Sequence, residues 1–127
     1  METLPTSRQR LRQITATCLF KMATKSPTQR SLEYLREQGY HPEVVERFNS
    51  FTKQRKDLWT WCDILAIKKD EVLAVQVTDS TSVSKRIRKI QESDTVGKVR
   101  DAGIRIEVHG WGKNSKGRYV LRVEDIS

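Results

Sequence analysis

Leu58-Trp-Thr-Trp-Cys-Asp-Ile-Leu-Ala-Ile67, and after a Lys68-Lys69-Asp70-Glu71 turn Val72-Leu-Ala-Val-Gln-Val-Thr78, decide how this chain reads. Both runs are almost continuously apolar and neither alternates cleanly. Strands covered on both faces have that pattern. The two are therefore expected as central strands joined in a hairpin. Folded about Lys69-Asp70, Ile67 faces Val72, Leu65 faces Ala74, Asp63 faces Gln76 and Trp61 faces Thr78. The polar residue of one buried strand lands opposite that of the other. Directly opposed side chains lie within about 5.5 Å at Cβ. A slip of one residue would separate them. An ionised carboxylate among hydrocarbon side chains is costly unless it is paired, hydrogen-bonded or bound to a metal.

Working outward, Ser26-Pro27 is a helix start, with Leu32 and Leu35 at helical spacing and Gly39 placed to end the helix in a left-handed turn. This predicts a helix over 27–38, carrying Glu33. His41 to Phe48 reads as a strand and Asn49 to Asp57 as a polar, basic loop or exposed hairpin end. After the central hairpin, Ser82 is expected to cap a helix whose Val83, Ile87 and Ile90 form one stripe. Ser93 is expected to cap another, with Val96 and Val99 inward and Gly103 at its end. Ile104, Ile106 and Val108 alternate as in a strand, Gly112 to Gly117 reads as a flexible basic loop, and Tyr119, Leu121 and Val123 alternate in a last strand. The order α-β-β-β-α-α-β-β makes the expected class α/β, a mixed sheet flanked by helices, over residues 26–127. Trp59, Trp61, Trp111, Cys62 and His109 are assigned to structure.

The 127 residues carry 24 Lys+Arg against 16 Asp+Glu, a net charge of +8 that favours a polyanionic partner such as nucleic acid or an anionic membrane surface. Two cysteines, Cys18 and Cys62, exclude a disulfide-rich secreted scaffold and a Cys-only zinc site. The longest apolar run is far short of the ~20 residues that cross a bilayer. A cytoplasmic protein is the expectation, in a bacterial or phage-infected cell if the resemblance below holds. Residues 1–25, with Arg8, Arg10, Arg12, Lys21 and Lys25 against Glu2 alone, read as a basic arm. Met22 is an alternative start of translation, and a frayed tail without a role is an alternative reading.

The helix acid, the strand Asp63 and the facing Gln76 together resemble the PD-(D/E)XK nuclease superfamily. The likeness is to its small phage-type members similar to Holliday-junction resolvases, and it covers about residues 26–111. The resemblance implies a restriction-endonuclease-like αβββαβ core and a metal-dependent DNA endonuclease, selective for branched or otherwise structured DNA. It implies Mg²⁺ or Mn²⁺ held by Glu33, Asp63 and Gln76, and a dimer, because two strands are cut symmetrically. The family's Glu-x-Lys falls on Gln76 and Thr78. The amide is a weaker ligand than a carboxylate, and the missing lysine is expected from Lys85 on the following helix, with Arg86 second. Catalytic roles are thus expected at Glu33, Asp63, Gln76, Thr78 and Lys85.

Lys85, Arg86, Arg88 and Lys89 form an acid-free basic face, and Ser82 and Ser84 stand at that helix's mouth, where hydroxyls and a helix N-terminus receive phosphate. These six are the expected DNA contacts. Three alternatives stay open. The chain could be a catalytically degenerate DNA-binding module of the same fold. It could be an adaptor working through its basic arm. Asp63 and Gln76 could simply bond each other in a core, and the basic face could be an ordinary solvated one.

Overall fold

A computed structural model of the chain describes residues 25–127. Of the expected basic arm only Lys25 is among them; the rest, with Met22, lies outside the described residues. Helix α1 (Pro27–Glu37) starts as its sequence dictates. Ser26 accepts a hydrogen bond from the Gln29 N–H while the Gln29 side chain accepts from the Ser26 N–H, a reciprocal capping box, and Pro27 needs no N–H partner in the first turn. Gly39, at φ +93°, takes the left-handed turn that ends it.

Strands β1 (His41–Val44), β2 (Arg47–Asn49), β3 (Gln54–Lys56), β4 (Ile64–Lys68) and β5 (Glu71–Asp79) follow. A 3₁₀ turn, Ser80–Ser82, leads into α2 (Val83–Gln91), then α3 (Val96–Asp101), β6 (Arg105–Lys113) and β7 (Tyr119–Asp125). Five strands make one mixed sheet in the order β1-β4-β5-β6-β7, and β2 and β3 form a separate two-stranded hairpin. The parallel β5–β6 pair is bridged by the crossover through α2 and α3. The fold is α/β, a mixed sheet flanked by helices. Leu35 of α1 packs on Ile64, Ala66, Leu73 and Val75 on one face. Val83 and Ile90 of α2, with Val96 and Val99 of α3, pack on Ala74, Ile106 and Val108 on the other. Near-continuous apolarity in β4 and β5 follows from this double covering.

The central register is the expected one: Leu65 pairs with Ala74 and Ile67 with Val72. It extends one step beyond β4, where the Asp63 N–H bonds the Val75 carbonyl at 2.9 Å. There the extended chain ends. Leu58 to Cys62 is a tight turn, with Trp59 and Thr60 at φ 58° and 68° and the Cys62 N–H on the Leu58 carbonyl at 2.8 Å. Trp61 therefore does not face Thr78. The turn instead buries the indole completely between β4 and the helix layer, its Nε1–H donating to Thr95 Oγ1 at 3.1 Å. Burial of so large a ring outweighs the left-handed backbone it requires.

Other expectations shift in the same local way. The strand read over His41–Phe48 divides at Val45-Glu46: the Val45 N–H still bonds the Asp63 carbonyl, but Arg47 onward leaves the sheet to pair with β3. Ser82 makes no side-chain cap; Asp79 accepts from the Thr81 N–H at 3.0 Å and its hydroxyl at 2.6 Å. Ser93 lies in the turn before α3 rather than at its cap, accepting from the Thr95 N–H. Gly112 and Lys113 belong to β6, not to a loop. Gly110 is where β6 meets the start of α2: a Cβ there would lie 2.3 Å from Val83 Cγ2 and 3.2 Å from Ser80 Cα.

Arg105 ties three strands together. Its guanidinium meets Glu71 and Asp125, each at 2.6 Å, and Glu107 at 3.3 Å. Tyr40 also donates to Glu71. The Ser127 hydroxyl and backbone N–H, with Arg105, hold the Asp125 carboxyl down to about 2. A depressed folded value stabilises above the ordinary carboxylate range and is lost as pH falls through it. Thermal melts of the wild type are expected to lose this contribution between about pH 4 and pH 2. Asp125→Asn should flatten that limb; an unchanged acid limb would show that the network contributes nothing.

Candidate metal centre

Asp63 sits where β4 begins and Gln76 near the carboxyl end of β5, and the two side chains meet as the register requires. Gln76 Nε2 donates to Asp63 Oδ2 at 2.7 Å, and the Val77 N–H donates to the same oxygen at 2.8 Å. Asp63 Oδ1 is left for other partners. The residues are 4% and 2% exposed, so the pair is almost fully buried. Gln76 Oε1 is also buried and has no hydrogen-bond partner among the described residues. A buried carbonyl oxygen without a partner forfeits a hydrogen bond's worth of solvation and is rare in folded proteins.

Two further carboxylates converge on Asp63. Among the described residues, Glu46, Asp57 and Asp63 each place an oxygen within 4.8 Å of the others. Glu46 stands immediately before β2 and Asp57 immediately after β3, so the hairpin's two ends deliver both acids to one point. Burial pushes the Asp63 carboxyl up to about 7, against the Val77 N–H, and the charges of Asp57 and Glu46 push the same way. Like charges this close resist common ionisation unless a cation joins them. The converging donors are three carboxylates, hard oxygens of the kind Mg²⁺ and Mn²⁺ take, with the Gln76 amide bonded to one of them. The residues present therefore fit a divalent cation.

The group opens into a cleft rather than a sealed core. Ser26, Pro27 and Thr28 of α1, Arg55 of β3, Val77, Thr78 and Asp79 of β5 and Arg86 of α2 line it with the acids. It lies at the carboxyl end of β5, where open α/β sheets generally place ligands. The positive end of the α1 dipole adjoins the carboxylates. Arg55 reaches Glu46 at 3.7 Å, and Arg86 Nε is buried without a partner among the described residues.

No protein-family model, curated protein or solved structure matches the chain.

The expected site residues divide. Asp63, Gln76, Thr78 and Arg86 are brought together at the cleft. Glu33 is not among its lining residues; its carboxylate is solvent-facing and pairs with Lys25 at 2.9 Å. The helix phase explains this. The buried residues of α1 are Ser31 and Leu35, and Glu33 is two residues from each, about 200° round the helix. Lys85 also misses the cleft. It lines a shallow depression on the outer face of α2 with Arg86, Arg88 and Lys89, so Arg86 alone reaches both surfaces. Ser82 and Ser84 stand at a helix mouth already occupied by the Asp79 carboxylate, which the Thr81 and Ser82 hydroxyls hold below the usual range. That charge opposes phosphate at the mouth. Glu46 and Asp57 were not singled out from the sequence. The signal available was their bracketing of the acid-free, basic run 47–56.

His109, Cys62 and Trp111 are structural, as assigned. His109 is wholly buried with Ser31 Oγ at 3.0 Å on Nδ1 and Glu107 at 3.1 Å on Nε2, and Trp111 Nε1 donates to the same Ser31 oxygen. The cluster anchors α1 to β6. Burial pushes the Cys62 thiol up to about 12, so it is inert as a nucleophile. Among the described residues no helix is long and apolar enough to cross a membrane.

Proposed function

We propose that the chain is a divalent-cation-dependent phosphodiesterase acting on DNA, of the restriction-endonuclease-like kind that its sequence resembles. One observation carries this reading. A buried amide oxygen without a partner stands with three converging carboxylates in a cleft that also holds two arginines. The ligands are assigned to Asp63, Glu46 and Asp57, with Gln76 Oε1 as the neutral donor; Glu33 is replaced in that role. When bound, the cation supplies a Lewis acid that polarises a phosphoryl oxygen and lowers the pKa of water.

The chain's own residues do the rest. The Gln76 amide and the Val77 N–H fix one oxygen of Asp63, so its other oxygen is presented in a single orientation. Arg86 and Arg55 offer planar forks for non-bridging phosphate oxygens and for charge that develops in the transition state. Thr78, in the position where the family has lysine, brings a hydroxyl to the cleft wall. The α2 face of Lys85, Arg86, Arg88 and Lys89 holds the flanking backbone, which makes binding salt-sensitive.

A second reading, a module that holds DNA without cutting it, is favoured by the lack of a lysine among the described residues that line the cleft. Calorimetric titration with Mn²⁺ and cleavage assays separate the two. Glu46→Gln and Asp57→Asn are each expected to weaken Mn²⁺ binding by about tenfold or more. Glu33→Gln should leave it unchanged. Wild-type protein that takes up no Mn²⁺ would remove the metal centre. Mn²⁺ binding without cleavage of any DNA would favour the holding module.

A further inference from the structure

The β2–β3 hairpin is the part of the molecule that the cleft does not explain. Between Glu46 and Asp57 it carries Arg47, Lys53, Arg55 and Lys56 and no acid. It also carries two of the chain's three phenylalanines, and neither is buried: Phe48 is 60% exposed and Phe51 95%. Phenylalanine is ordinarily among the most buried residue types. The loop that presents Phe51 is ordered by its own bonds. Asn49 Oδ1 accepts from the Phe51 N–H at 2.9 Å and from the Thr52 N–H at 3.3 Å, an Asx turn, and Lys53 takes a left-handed φ of 57° to close it. A shallow depression beside the loop is lined by Arg47, Phe48, Asn49, Thr52 and Lys56, cation and ring together.

We infer that this hairpin is a base-stacking wedge for nucleic acid with unpaired bases, Phe51 at its tip and Phe48 behind it. The inference rests on the proposed action on DNA and names the class of substrate. A ring held out in water between cations suits a partner that offers an apolar face and a negative backbone together. Unstacked bases on a phosphate chain are that partner, and every base has a face to stack. Charge complementarity selects it over an apolar protein groove, which would leave Arg47, Lys53 and Lys56 unmatched. Phe51 lies five steps along the chain from Glu46, so the tip lies no more than about 18 Å of extended chain from the proposed metal ligands. That is about five base steps of a duplex strand. The wedge would therefore place the junction between paired and unpaired DNA within reach of the cleft.

The test uses the full chain in chelator, so that binding is read without cleavage. The probes are a fully paired duplex, the same duplex ending in an unpaired fork with 2-aminopurine in the unpaired arm, and vesicles of phosphatidylserine and phosphatidylcholine. Wild type is expected to prefer the fork and to change the 2-aminopurine fluorescence. Phe51→Ala should lose roughly tenfold in fork affinity together with the fluorescence change, and keep its duplex affinity. Phe51→Trp should restore both. Phe51 packs against nothing, so its removal leaves the fold intact. Fork binding by wild type that Phe51→Ala does not weaken would overturn the wedge while leaving the cleavage reading standing. A Phe51-dependent fork preference in a protein that cuts no DNA with Mg²⁺ or Mn²⁺ would support the wedge and overturn only cleavage. Phe51-dependent capture by the vesicles with no fork binding would overturn the wedge in favour of a membrane contact.

Discussion

Asp63→Asn is expected to abolish the proposed metal-dependent cleavage, by on the order of a thousandfold, and at the same time to make the metal-free protein more stable. The two effects have one cause. Asn keeps a carbonyl oxygen for the Gln76 amide and the Val77 N–H but removes the central charge of the acidic group. In the metal-free wild type, burial and the neighbouring carboxylates raise the Asp63 pKa from 3.8 to about 7. A raised folded value means that stability is fullest below the unfolded pKa and falls as pH rises toward the folded one. Wild-type stability should therefore decline from about pH 4 to about pH 7, and the variant's should not. At pH 8 the variant is expected to exceed the wild type by about 2 kcal/mol or more in denaturant titrations. Added Mn²⁺ should reverse the order by stabilising the wild type alone. A variant less stable than wild type at pH 8 without metal would show that the carboxylates do not repel, and so do not share a site.

Trp61→Ala is expected to cost about 3–5 kcal/mol, the range for deleting a wholly buried large aromatic. Native domains have only about 5–15 kcal/mol in total. The melting temperature should fall by roughly 10 °C or more. Trp61→Phe keeps most of the volume and removes the bond to Thr95 Oγ1, which retains Ser93 Oγ at 2.9 Å as a partner. It should cost much less, about 1–2 kcal/mol. The turn that Trp61 locks joins Asp57 to Asp63. The alanine variant should therefore also bind Mn²⁺ more weakly at temperatures where it is still folded. Equal stability of the two variants would mean that the ring does not hold that turn.

The part of this structure legible in the sequence is the part governed by local pattern. The capping of α1, the β4–β5 register and the meeting of Asp63 with Gln76 all follow from residue spacing within one hairpin or one helix. The chain's departure from the sheet at Val45, its left-handed turn at Trp59-Thr60 and its late entry into β4 at Ile64 do not. The turn puts Trp61 into one core with residues of α2 and α3, and Val45 packs against that core; these partners are distant in sequence. That is why Glu46 and Asp57 went unread as partners of Asp63: only the separate hairpin folds them back together. Glu33 was different. Its position 200° from Ser31 and Leu35 was already a solvent-facing phase, and the resemblance alone had drawn it inward. The proposed restriction-endonuclease-like function rests on that resemblance and on the candidate metal site, and the binding and cleavage assays above test it.

Gly110 contributes no side chain to any chemistry, yet its hydrogen sets how near the crossover may come to the strands beneath. Even one methyl group there would press on Val83 Cγ2 and the Ser80 backbone, and Val83 heads the helix on which Arg86 rides. A bulkier residue at this point would tilt that helix outward and carry the arginine away from the carboxylates. On the proposed reading, a residue of the neighbouring strand thus holds Arg86 over the carboxylates, and a change there would loosen the grip on phosphate while Glu46, Asp57 and Asp63 keep their places.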